Sequence, residues 1–129
     1  MTALTDPYVG VPDLLARYAL SMDDRRLDDC LALFTDDAAL AVNGDLTEGK
    51  AAIGEWMQVV AANPAGKHLT TNVAVTPQGA DRATSVADLA FLRRGDDGRW
   101  VLFMAGRYED DIVLRDGEWR FARRDILMG

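Results

Sequence analysis

The sequence predicts an α+β fold in which a curved, mainly antiparallel sheet wraps around N-terminal helices and leaves an internal pocket. Apolar positions recur at helical spacing in the first half, and a period-two pattern replaces them after residue 66. The later runs are joined by short turns rich in Gly and Asp, so consecutive hairpins follow.

In the first half, Leu14, Leu15, Tyr18, Ala19 and Met22 mark a first helix with Asp13 as its N-cap. Leu27, Cys30, Leu31 and Phe34 mark a second, ending at "TDD", and "AALAV" reads as a short strand. "NGD" is a turn, after which "LTEGKAAIGEWMQVVAAN" reads as a third helix stopped by Asn63 and Pro64. The strand candidates are "KHLTTNVAVT", "ATSVADLAFLRR", "RWVLFMAGRYEDDIVLR" and "EWRFARRDILM". The third spans 17 residues, so a bend or bulge is expected near Gly106. On the first of these strands, alternation puts His68, Thr70 and Asn72 on one face.

At 129 residues, 49% of them apolar, the chain is read as one domain spanning residues 1–129. A chain of this length buries roughly two-thirds of its unfolded surface, enough for a core and one modest cavity. The net charge of −7 repels a phosphate backbone, so nucleic acid is not an expected partner. Cys30, the one cysteine, sits in an apolar-periodic run and reads as a small buried hydrophobe. One histidine and one cysteine cannot build a zinc site, and no metal or cofactor is expected. With no signal-peptide pattern and no apolar run of about 20 residues, a soluble cytoplasmic protein without membrane attachment is expected.

Three separated segments, in order, resemble the SnoaL-like branch of the nuclear-transport-factor-2-like superfamily. They are "RYALSMDDRRLDDCLALFTDDAAL", "KHLTTNVAV" and "GRYEDDIVLRDGEWRFARRDI", and the resemblance covers residues 10–127. It implies a cone-shaped α+β barrel with a pocket open at one end, commonly paired into a homodimer through the outer sheet face. In dehydratase-like members an aspartate ending the first helix holds a histidine on the first long strand. Asp23 and His68 match that pair, Tyr18 is the nearest candidate for a helix tyrosine that polarises substrate, though offset from that tyrosine's position in some members, and Arg124 corresponds to a C-terminal polar residue used in some of them. The second histidine of scytalone dehydratase has no counterpart, because the matching strand reads "TSVADLAFLRR".

An imidazole held by a carboxylate exchanges protons near neutral pH and suits abstraction of an activated C–H proton. A donor to the resulting enolate oxygen would come from Tyr18, Tyr108, Asn72 or Arg124. Trp56 joins the candidates for substrate contact, although it, Trp100 and Trp119 also read as packing residues. Asp24 is the alternative to Asp23 as the inward carboxylate, and Asp110 or Asp111 could pair with Arg107, Arg123 or Arg124 across the hairpin. The leading expectation is a cofactor-independent lyase or isomerase (dehydratase, double-bond isomerase or cyclase) acting on a hydrophobic carbonyl-containing metabolite. The alternatives are a non-catalytic binding or accessory subunit of the same fold and, more weakly, an epoxide hydrolase. The last would need Asp88, Arg107 and Asp110 to form one water-activating cluster.

Overall fold

Asp6 and Pro7 start the first helix, seven residues before the position expected from Asp13. In the computed structural model, which describes residues 3–129, α1 spans Pro7–Asp23. The Asp6 carboxylate accepts from the Tyr8 N–H at 2.9 Å, and Pro7 occupies the first turn, where a missing N–H costs nothing. Asp13 lies inside the helix and pairs with Arg17 one turn on. The buried stripe of α1 is Val11, Leu14, Leu15, Tyr18, Ala19 and Met22, as the helical spacing requires.

The second helix is shorter than its apolar spacing suggests. α2 covers Leu27–Leu31, and Phe34 instead begins β1, Phe34–Val42, which absorbs "TDD" as well as "AALAV". Asn43 and Gly44 both take positive φ (49° and 88°), which reverses the chain into β2, Asp45–Glu48. "LTE" is therefore strand rather than helix. Gly49, at φ 87°, ends it, and α3 runs over Lys50–Ala61.

The second half follows its alternation closely. β3 is Lys67–Pro77, β4 Arg82–Arg94, β5 Trp100–Arg115 and β6 Glu118–Met128. Asp116 and Gly117, at φ 54° and 78°, form the tight reversal from β5 to β6. The six strands lie in the order β2-β1-β6-β5-β4-β3. β1 and β6 run parallel and all other neighbours antiparallel, and among the described residues neither β2 nor β3 gains a second partner, so the sheet is curved but unclosed.

The expected irregularity in β5 occurs three residues before Gly106. Phe91 faces Met104 while Leu92 faces Leu102, so Phe103 is the extra residue of a bulge. Gly106 serves a different purpose, since a Cβ there would come within 2.5 Å of the Leu127 carbonyl oxygen on β6. The concave face of the sheet packs Leu40, Ala87, Tyr108, Ile112 and Phe121 against α1 and α3, and the core lies between them. No helix among the described residues is long and apolar enough to cross a membrane.

Candidate active site

Asp23 is the last residue of α1, and His68 is the second residue of β3. The helix stops there because Arg25 turns into the left-handed region at φ 58°, which leaves the Asp23 carboxylate directed at the neighbouring strand. Both carboxylate oxygens hold the same residue. Oδ1 lies 2.5 Å from His68 Nδ1, and Oδ2 accepts from the His68 backbone N–H at 2.8 Å. This two-point clamp fixes the ring and places its proton on Nδ1, leaving Nε2 as the acceptor with no protein partner among the described residues. The two side chains are only 15% and 14% exposed, so the pair is shielded without being sealed. Phe91, directly opposite on β4, stacks obliquely on the imidazole with ring centroids 4.7 Å apart.

His68 and Phe91 form one wall of a cavity of about 260 Å³ between α1, α3 and the sheet. Its other walls are mostly apolar, with Trp56 from α3 and Leu89, Met104 and Ile126 from the strands. Tyr18 and Tyr108 complete the lining, and neither hydroxyl has a protein hydrogen-bond partner among the described residues. Burial pushes the Tyr108 phenol up to about 12 and raises Tyr18 well above its ordinary value. Both therefore stay protonated and able to donate at neutral pH.

Behind the tyrosines lies Arg124. Its guanidinium is fully buried, 3.5 Å from the Tyr108 ring centroid and 4.3 Å from that of Tyr18. Nε and Nη2 donate to the two oxygens of Asp110 at 2.9 and 3.2 Å, a bidentate ion pair with both side chains at 0% exposure. Burial works against the Arg124 charge, but Asp110 and the phenol rings offset it and its pKa is raised. Burial also raises the Asp110 carboxyl, against the attraction of Arg124.

The cavity thus gathers His68, Asp23 at its back, Tyr18, Tyr108 and Trp56, and it leaves out two expected residues. Asn72 is turned away by a bulge in β3, where the β4 register shifts between Thr71 and Ala74 and Asn72 takes φ 54°. Its amide instead donates to Asp88 at 2.8 Å on the exposed side of the sheet. Arg124 supports the floor from behind and does not line the space. Asp24, the alternative to Asp23, lies on the surface near Arg26.

The cluster needed for epoxide hydrolysis does not exist. Arg107 pairs with Asp88 outside the sheet, where hydrogen bonds from Asn72 and then Arg107 hold the Asp88 carboxyl below its usual range, while Asp110 is committed to Arg124 in the core. Cys30 is fully buried, and its thiol is pushed up to about 11, as suits an inert core residue. Among the described residues no group of three or more His, Cys, Asp or Glu side chains could hold a metal ion.

Comparison with known proteins agrees with this fold. A model of the SnoaL-like domain matches residues 6–125. The chain is 30% identical over 117 residues to the uncharacterized protein Rv2910c of Mycobacterium tuberculosis, covering 88% of this chain and 80% of that protein. Among solved structures it is similar to Rv3472 of Mycobacterium tuberculosis, a protein of unknown function (TM-score 0.85, 28% identity, 92% of this chain and 74% of that one). It also shares its fold with LinA, at TM-score 0.80 and 21% identity over 92% of this chain and 83% of that one.

Proposed function

The chain belongs to the SnoaL-like domain family, and from that premise we propose that it is a small lyase or isomerase working by proton abstraction from an apolar carbonyl-containing metabolite. The observation that carries this reading is the two-point hold of Asp23 on His68 at the wall of an apolar cavity. Nε2 takes the proton α to the carbonyl, and Asp23 stabilises the imidazolium that forms. Tyr18 and Tyr108 donate to the enolate oxygen, with the Arg124 charge stacked behind their rings to favour developing negative charge. Loss of a β-leaving group from the enolate makes the reaction a dehydration, reprotonation at another carbon an isomerisation, and attack on a second carbonyl a cyclisation.

The test is exchange of the α-protons of 2-tetralone in deuterated buffer, followed by proton NMR. The chain should accelerate exchange, and His68→Asn should slow it by about 100-fold, the lower range for a general base, while keeping the wild-type circular dichroism. Exchange untouched by His68→Asn overturns the reading. Retention of 2-tetralone without any accelerated exchange would favour the binding-module alternative, which the same apolar lining supports. The homodimer belongs to the same proposal: Leu69, Leu102 and Leu127 stand exposed on the outer sheet face, as a face that pairs with a second copy requires.

A further inference from the structure

The geometry points to Arg93 as an anchor for a carboxylate on the molecule that enters the cavity. The inference rests on reading that cavity as the substrate site and adds a substrate class to it. Arg93 lies two residues beyond Phe91 on β4, hence on the same face of the strand as the cavity wall. Its guanidinium stacks 3.8 Å from the ring centroid of Phe103, the bulged residue of β5, and 5.4 Å from that of Phe91. Phe91 in turn contacts His68, so one aromatic ring separates this cation from the proposed base.

Among the described residues, Arg93 is held by these rings and by nothing polar. Nε is wholly covered and has no hydrogen-bond partner, and among the described residues no carboxylate lies within ion-pair distance of the side chain. The contrast with its neighbour is informative. Arg94, on the opposite face, stacks on Trp100 but also donates to the Gly98 carbonyl oxygen at 2.7 Å. In a chain with 21 acidic residues against 14 basic ones, an arginine fixed by stacking and left without an acid keeps its charge available. With Nε covered, the two Nη groups of a guanidinium so positioned form the fork of donors that matches a carboxylate. The ligand that satisfies both features is an aromatic or alicyclic acid, with its apolar body in the cavity and its carboxylate at Arg93.

The probes are 2-naphthoate and its neutral analogue 2-naphthamide, titrated calorimetrically into the intact protein. The wild type should bind naphthoate about tenfold or more tightly than naphthamide, the range of one charge-assisted hydrogen-bonded contact. Arg93→Gln should remove that preference and leave naphthamide affinity unchanged. His68→Asn should keep it, which separates this inference from the proton-abstraction reading, since a failed base leaves the carboxylate preference intact. Equal affinities in the wild type, no saturable naphthoate binding, a preference surviving Arg93→Gln, or one lost only in His68→Asn would each overturn the assignment.

Discussion

Replacing Asp110 by Asn should destabilise the fold far more than a typical single substitution. Both partners of the Asp110–Arg124 pair are at 0% exposure, and the carboxylate accepts two hydrogen bonds from the guanidinium. Asparagine keeps the shape but offers one acceptor, and its amide nitrogen meets a guanidinium N–H that it cannot satisfy. The Arg124 charge, pressed against Tyr18, Tyr108 and Phe121, is then buried without a counterion. Breaking a buried pair in this way costs about 3–5 kcal/mol, a large part of the ~5–15 kcal/mol that holds a domain together. The expected fall in Tm is roughly 10–20 °C at this chain length. Urea unfolding followed by circular dichroism gives the free energy directly. The combined Asp110→Leu, Arg124→Met variant removes both charges at once and should recover most of the loss, because desolvation of the surviving ion is the dominant cost. A loss below about 1 kcal/mol in Asp110→Asn, or a combined variant no better than the single one, refutes the reasoning.

Two further predictions concern the cavity floor and the sheet. In an alkaline titration followed by phenolate absorbance, Tyr108 should ionise only as the pH approaches about 12, and Tyr18 should ionise only with unfolding. Their folded pKa values are raised, so the stability they contribute is complete below the ordinary phenol range and is lost as pH rises through the folded value. Full ionisation of all three tyrosines near pH 10 with native circular dichroism would contradict this. Gly106→Ala should cost about 1–3 kcal/mol in the same urea experiment, because its methyl group meets the β6 backbone; a neutral outcome would show that the two strands separate easily.

The second half of the chain was legible because alternation and Gly-containing turns act over a few residues. The first half was harder, since local spacing misplaced Phe34 and "LTE", which pair with distant or neighbouring strands to form β1 and β2. The Asp23–His68 contact could be anticipated from a resemblance, whereas Phe91 could not be reached by counting. Past the β3 bulge the register runs Val75 to Ser85 and Thr76 to Thr84, and continuing it would set Leu92 opposite His68. The bulge moves the partner by one residue and sets His68 opposite Phe91, which shares the cavity face with Leu89, while turning Asn72 out of it. Arg124 was legible in part: its pairing with Asp110 across the hairpin was among the expected ones, and the structure forms it. A charged residue on a strand near the chain's end suggests an exposed cross-strand pair or a ligand contact, and only the tertiary packing shows it enclosed with Asp110.

The parallel pairing of β1 with β6 bears on when the pocket comes into being. Asn43, just after β1, accepts from the Met128 backbone N–H across 85 positions of sequence, and β6 also contributes Ile126 and Met128 to the cavity. Contacts this distant cost chain entropy to close. A chain that has formed the β3–β4–β5 meander already holds His68 beside Phe91, yet it has no wall where β6 will lie. Any molecule that fills the finished cavity therefore favours the completed sheet over such an intermediate, and ligand supply becomes a lever on how much of the protein is folded.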